Sequence, residues 1–214
     1  STPTSPGSCK QRIRLPSVTG GVDTPRLRRD NARMAAPGPP PLVKLICGIL
    51  SNDSRRFTEA TRLLVDAFGP VEDTSETWNF DFTDYYEQSM GGGLLRQFVS
   101  FRELVPADKL ASIKRHTNDL EARFAAAEPD GPDRPINLDP GYVAEPKLVL
   151  ASMKDGPQRV YLSQGVFAEV TLLYRGGRWQ ALEWTFPDYA SGRYDAFFSR
   201  TRDALRAQLK ERRG

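Results

Sequence analysis

The chain has 214 residues, 39% hydrophobic and 27% charged, which suits one globular domain with an appendage better than two full domains. Its net charge of +3 is unevenly spread: residues 1–33 hold seven basic against two acidic residues, a net +5, which leaves −2 for the remainder. The folded part is therefore no electrostatic magnet for nucleic acid, and no apolar run approaches the ~18 residues of a membrane-spanning helix.

Residues 1–40 are rich in Pro, Ser, Gly and Arg and poor in large apolar side chains. Such a segment cannot bury enough surface to offset its ordering entropy, so it reads as a disordered basic tail before a single α+β domain over 41–210. Met34 offers an alternative start, which would make the preceding stretch an extension without a role. Arginines without an apolar core argue against a secretory leader. Cys9 and Cys47 are too few for a disulfide framework, and a cytoplasmic location is expected.

The apolar run PLVKLICGILS predicts a buried central strand. Asn52, Asp53 or Ser54 can cap a helix with Phe57, Ala60, Leu63, Leu64 and Phe68 on one face, and Gly69-Pro70 ends it. TSETWNFDF alternates Trp78, Phe80 and Phe82 with polar residues, as a strand with one solvated face does. Thr83 or Asp84, followed by Glu87, resembles a helix-capping arrangement. After three glycines, LLRQFVSFREL is a strand with Phe98 and Phe101 as core.

Pro106-Ala107-Asp108 opens a helix to about Phe124, buried through Leu110, Ile113, Thr117, Leu120 and Phe124. INLDPGY predicts a short strand that runs into an Asp-Pro-Gly turn, and Pro146 the first residue of a short helix, KLVLASMK. QRVYLS and VFAEVTLLY predict one long strand or two, broken at Gln164-Gly165. Gly176-Gly177 turns a hairpin whose return strand is RWQALEWTF. The chain closes on an amphipathic helix with Tyr194, Phe197, Phe198, Thr201, Leu205 and Leu209 buried. The order of the first six elements matches a ferredoxin-like β-α-β-β-α-β sandwich, extended here by the C-terminal hairpin and final helix.

Several chemistries have no motif. No Walker-type phosphate loop, dinucleotide fingerprint, nucleophile elbow or H-E-x-x-H occurs, and one His with two distant Cys cannot build a zinc site. His116 sits mid-helix beside Arg115 and reads as a surface residue. What remains are polar residues in strands or at strand ends: Asp81 with Tyr85; Asp139 with Tyr142 and Lys147; Glu169 with Thr171 on a strand whose alternate places are apolar; and Glu183, Trp184 and Asp188 in EWTFPDY. Asp81, Asp139, Glu169 and Glu183 are the candidate catalytic or metal-holding carboxylates, and all-oxygen ligation would suit Mg²⁺ or Mn²⁺. Lys147 at a helix start and Arg159 would take an anionic group, and Tyr85, Tyr142, Trp184 and Asp188 would complete the binding site.

The motifs FDFTDYYEQSMG, RQFVSF, KRHTNDLE, INLDPGYV with KLVLASMKD, RVYLSQGVFAEVTLLY and EWTFPDY, in this order, resemble a bacterial family catalogued as a domain of unknown function, number forty-four sixteen. The resemblance runs from about Val43 to about Leu209. It implies no activity; some members carry a GTP-binding label, which no motif here supports. The family pattern places a histidine where Gln158 stands, so an imidazole-dependent mechanism would lack its group in this chain.

Two functions follow as expectations. One is a small-ligand-binding domain, with metal-assisted chemistry on a phosphorylated or nucleotide-like compound and the four carboxylates as acid, base or ligands. The alternative is a non-catalytic regulatory or scaffolding module that acts through a homodimer or an exposed sheet edge. RNA contact is disfavoured by the near-neutral folded part.

Overall fold

A computed structural model describes residues 37–83 and 86–214. The chain divides into two units, Ser1–Gly38 and Pro39–Gly214, and the architecture described here is that of the second. The tail expected over the first forty residues lies almost wholly outside the described residues, as do Asp84 and Tyr85.

The second unit is a mixed α+β structure built on a nine-stranded sheet in which every pairing is antiparallel. In chain order its elements are β1 (Leu42–Ser51), α1 (Ser54–Phe68), β2 (Val71–Thr74), β3 (Trp78–Asn79), α2 (Glu87–Met90), β4 (Leu95–Pro106), α3 (Leu110–Ala127), β5 (Asn137–Ala144), β6 (Lys147–Ser152), β7 (Arg159–Ser163), β8 (Val166–Arg175), β9 (Arg178–Ala181), α4 (Pro187–Ala190) and α5 (Asp195–Glu211). The strand order is β2-β4-β1-β5-β6-β8-β7; β3 also pairs with β4, and β9 with β8.

Two layers of helix cover the two faces. Leu45, Cys47 and Ile49 of β1 bury towards Phe57, Ala60 and Leu64 of α1 and Ile113, Leu120 and Phe124 of α3. Ile46 points the other way, with Phe98, Val143, Leu148 and Leu150, towards Tyr189, Tyr194, Phe197 and Phe198. That period-two split explains why β1 is apolar at almost every position: it is central and covered on both sides. Asp53 caps α1 by accepting from the Arg55 amide at 2.9 Å, and Gly69 follows its last residue. Among the described residues, no helix is long and apolar enough to cross a membrane.

Four local expectations are corrected. Asp139-Pro140-Gly141 is not a turn; it lies inside β5, which pairs with β1 from Lys44↔Val143 to Leu50↔Asn137. The turn is at Glu145-Pro146, and KLVLAS is strand β6, because Leu148, Val149, Leu150 and Ala151 must bury on two opposite faces in succession. The strand expected over TSETWNFDF shrinks to Trp78–Asn79, and β2 precedes it. The return strand of the hairpin ends at Ala181, where Leu182 bonds through its amide to the Thr185 hydroxyl instead. The short helix α2 has Tyr86 at its N-cap and no side-chain capping bond.

β5 and β6 separate where Pro140 sits. Their pairing runs only from Ala144↔Lys147 to Gly141↔Leu150, although β5 continues back to Asn137 and β6 on to Ser152. In an antiparallel ladder alternate residues direct their main-chain groups to alternate neighbours. Leu138 and Pro140 face the β6 side, and Pro140 has no N–H to give. Leu138 is satisfied by helix α3 instead: its amide donates to Glu121 Oε1 at 2.7 Å and its carbonyl accepts from Lys114 Nζ at 2.8 Å. Two charged side chains thus replace a missing strand partner, and the sheet opens into a cleft.

Candidate binding cleft

The cleft has a volume of about 920 Å³, within the range of small-molecule sites. Its floor is the open seam of the sheet, with Asn137 and Asp139 of β5 on one side and Leu150, Ala151 and Ser152 of β6 on the other. Helix α3 contributes Lys114, Asn118 and Glu121; Phe80, Phe82, Tyr86 and Phe186 add aromatic surface.

Arg96 is the buried centre of one wall, 2% exposed. It belongs to β4, yet its Nη1 lies 2.9 Å from Asp139 Oδ2 on β5, with β1 between. Gly48 makes that crossing possible, since a Cβ there would lie 3.1 Å from Arg96 Nη1 and 2.9 Å from Phe98 Cε1. Asp139 Oδ2 also accepts from Asn137 Nδ2 at 2.6 Å, and Arg134 donates to Asn137 Oδ1 and, at 3.0 Å, to Glu121. Asp188, 3% exposed, lies 3.9 Å from Arg96 Nη2 and accepts from Tyr194 at 3.4 Å.

These surroundings push the two aspartates in opposite directions. Burial alone would raise Asp139, but Arg96, Lys114 and Arg134 outweigh it and hold the carboxyl below its ordinary range. Burial dominates at Asp188 and raises it, with Arg96 opposing only in part. Glu121 is likewise raised by burial against the pull of Lys114 and Arg134. Tyr86 is pushed up to about 12, chiefly by burial and then by the Asp139 charge.

On β7 and β8, Arg159 and Glu169 stand opposite one another, and Arg159 Nε reaches Glu169 Oε2 at 3.0 Å. Gln158 Nε2 donates to the same oxygen at 3.1 Å. Glu169 Oε1 is left buried with no hydrogen-bond partner. Four buried side-chain polar atoms among the described residues share that condition, and three of them, Glu169 Oε1, Arg96 Nε and the Tyr189 hydroxyl, belong to residues that line this cleft. An unpaired buried polar group costs about 1–3 kcal/mol, and three of the four belong to residues around one hollow.

Of the residues singled out in the sequence, Asp139, Arg159, Glu169 and Asp188 line the cleft. The others do not. Asp81 is an exposed residue paired with Arg193 at 3.3 Å, although Phe80 and Phe82 beside it do line the cleft. Glu183 is exposed beyond the end of β9. The four-carboxylate set therefore does not gather, and among the described residues no group of three or more His, Cys, Asp or Glu is placed to hold a metal ion. Tyr142 packs against helix α3 with Leu110, Ala111 and Val149 and does not line the cleft. Lys147 begins a strand, not a helix, at the far end of the β5–β6 hairpin, which removes the helix-start anion site. Trp184 spends its indole N–H on the Val170 carbonyl at 2.9 Å.

Sequence reasoning overlooked Arg96, Lys114, Glu121 and Arg134, and it gave Tyr189, within EWTFPDY, no role of its own. Two of these had a signal. Arg96 occupies the same strand face as Phe98, where alternation calls for an apolar residue, and Lys114 lies on the buried stripe of α3 with Leu110, Ile113 and Thr117. A charge at a core position of either period is a flag for a buried polar site.

A family model described as a domain of unknown function, DUF4416, matches residues 41–205. No curated protein and no solved structure matches the chain.

Proposed function

The chain belongs to the DUF4416 family, a membership that brings no activity with it, and we propose that the cleft binds a small polar metabolite with an anionic group at one end and a hydrogen-bond donor at the other. The observation that carries this reading is that Glu169, Arg96 and Tyr189, each with a buried side-chain polar atom lacking a partner, all line one cleft. Glu169 Oε1 can only accept, so the ligand brings an N–H or O–H to it. Arg134 engages its neighbours through one terminal nitrogen, which leaves guanidinium donors for an anion. Phe82, Tyr86 and Phe186 offer flat apolar surface to a ring. A phosphorylated or nucleotide-like compound meets all three demands. Asp139 and Asp188, shifted apart on either side of Arg96, are the pair that would move a proton if the bound compound reacts.

Two finer readings accompany it. We take β1-α1-β2-β4-α3-β5 as a ferredoxin-like unit, which the partial order β2-β4-β1-β5 supports. We place the protein in the cytoplasm, where the free, buried Cys47 would be at ease.

The test is a thermal-shift screen of the full chain with mononucleotides, sugar phosphates and their unphosphorylated counterparts. A ligand at about 100 times its Kd stabilises by about 2.7 kcal/mol. The expected result is a shift with a phosphorylated member that is lost in Glu169→Gln and in Arg134→Gln. Equal, null responses to every compound would count against a ligand of this class.

A further inference from the structure

We infer that the open main chain at the end of β6 reads a base with an amino group beside a ring-nitrogen acceptor, the edge that adenine and cytosine share. The inference rests on the nucleotide-like ligand proposed above and names the base it carries.

The β5–β6 ladder fixes which main-chain groups are open. Its tight turn at Glu145-Pro146 makes Ala144↔Lys147 a hydrogen-bonded pair, and Tyr142↔Val149 is the next one of that kind. Lys147, Val149 and Ala151 therefore direct their main-chain groups towards β5. One step beyond Gly141↔Leu150, the register mate of Ala151 is Pro140. Proline has no N–H, so the Ala151 carbonyl faces the seam without a ladder donor. Two residues on, the Met153 amide would meet the Leu138 carbonyl, but that carbonyl already accepts from Lys114 Nζ at 2.8 Å. Met153 lies just past the end of β6, and its amide makes no main-chain bond among the described residues. Ala151, Ser152 and Met153 all line the cleft. On its other side β6 stays paired with β8 as far as Ser152↔Phe167, which holds this stretch extended.

A carbonyl and the amide two residues later, on one side of an extended segment, present an acceptor beside a donor. Their complement is a donor beside an acceptor in one flat ring. Adenine offers its N6 amino group next to N1, and cytosine its N4 amino group next to N3. Hypoxanthine and uracil reverse the pattern: a keto oxygen would face the Ala151 carbonyl and a ring N–H the Met153 amide, which leaves both main-chain groups unmet. Phe82, Tyr86 and Phe186 supply flat surface for the base, and Arg134 the donors for the phosphate. The ribose hydroxyls remain to donate to Glu169 Oε1.

Calorimetric titration of the full chain with AMP, CMP, IMP, UMP and ribose 5-phosphate tests this. AMP or CMP should bind, the tighter of the two identifying the base, and IMP and UMP should bind at least about a hundredfold more weakly. Met153→Pro deletes the donor at a residue 37% exposed and should cost at least about tenfold in affinity, while Met153→Leu costs nothing. Pro140→Ala gives the Ala151 carbonyl an amide across the ladder and should weaken the same ligand; it decides the matter if circular dichroism shows Met153→Pro misfolded. Three results overturn the inference and leave the polar-metabolite reading standing: IMP or UMP as tight as its amino counterpart, ribose 5-phosphate as tight as AMP, or AMP and CMP binding indifferent to the substitutions at 153 and 140. No binding by any of these compounds overturns the inference and counts against that reading as well.

Discussion

Arg96 reaches Asp139 across a strand that belongs to neither: its Nη1 lies 2.9 Å from Oδ2, over the bare Cα of Gly48. The pair joins β4 to β5 above β1 and holds one wall of the cleft in place. Gly48 is a structural requirement of that bridge. Gly48→Ala should cost about 1–3 kcal/mol in chemical denaturation, as overpacking at a tight contact does. Gly92→Ala, where an added Cβ meets nothing within 4 Å, should stay within about 0.5 kcal/mol of the parent.

Removing one partner of this pair, Arg96 buried and Asp139 partly so, should be worse than removing both. Arg96→Met leaves Asp139 and Asp188 without their cation, and a loss of about 3–5 kcal/mol is expected. Adding Asp139→Asn to Arg96→Met should recover part of it. A denaturant-based double-mutant cycle measures the coupling, expected at about 0.5–3 kcal/mol.

The two aspartates should leave opposite marks on the pH dependence of stability. Asp139 is lowered in the folded state, so its contribution is present above the ordinary aspartate value near pH 4 and is lost as pH falls through its folded value. Asp188 is raised. Between its ordinary and folded values the native state binds more protons than the unfolded chain, so stability falls as pH rises through that window. Asp139→Asn should flatten the acid limb of a stability–pH curve, and Asp188→Asn should flatten the decline above about pH 4. Urea denaturation at stepped pH reads both.

Helix α3 acts as a surrogate strand for Leu138. Glu121→Ala removes the acceptor of the Leu138 amide, and Lys114→Met the donor to its carbonyl. Each should cost about 1–3 kcal/mol. Hydrogen exchange distinguishes them: the Leu138 amide should lose protection in Glu121→Ala and keep most of it in Lys114→Met, since only the first change frees the N–H.

Local rules in the sequence were enough for elements whose fate depends on neighbours along the chain. The stripes of α1, α3 and α5, the double-sided apolar run of β1 and the Gly176-Gly177 hairpin are periodicities and turn chemistry, and each appears where those rules put it. Asp139, Arg159, Glu169 and Asp188 were visible as polar residues in strands or at strand ends, and they line one cleft.

Asp-Pro-Gly shows what such rules cannot reach. By itself it favours a turn, but β1 offers a ladder to Asn137, Asp139 and Gly141, and Gly141 lets β6 approach so closely that a Cβ there would sit 2.4 Å from the Val149 carbonyl. Pairing with strands some ninety residues before and ten after outweighs the local preference. Which carboxylates share the cleft was decided in the same way. Asp81 and Glu183 look no different from Asp139 and Glu169 in the sequence, but only the latter two meet well-covered arginines brought in by other strands, the buried Arg96 and the partly buried Arg159. Composition and period determine which residues are buried and in what local form. The side-by-side order of strands determines which buried charges meet, because the distance between them is a property of the sheet and is absent from the chain.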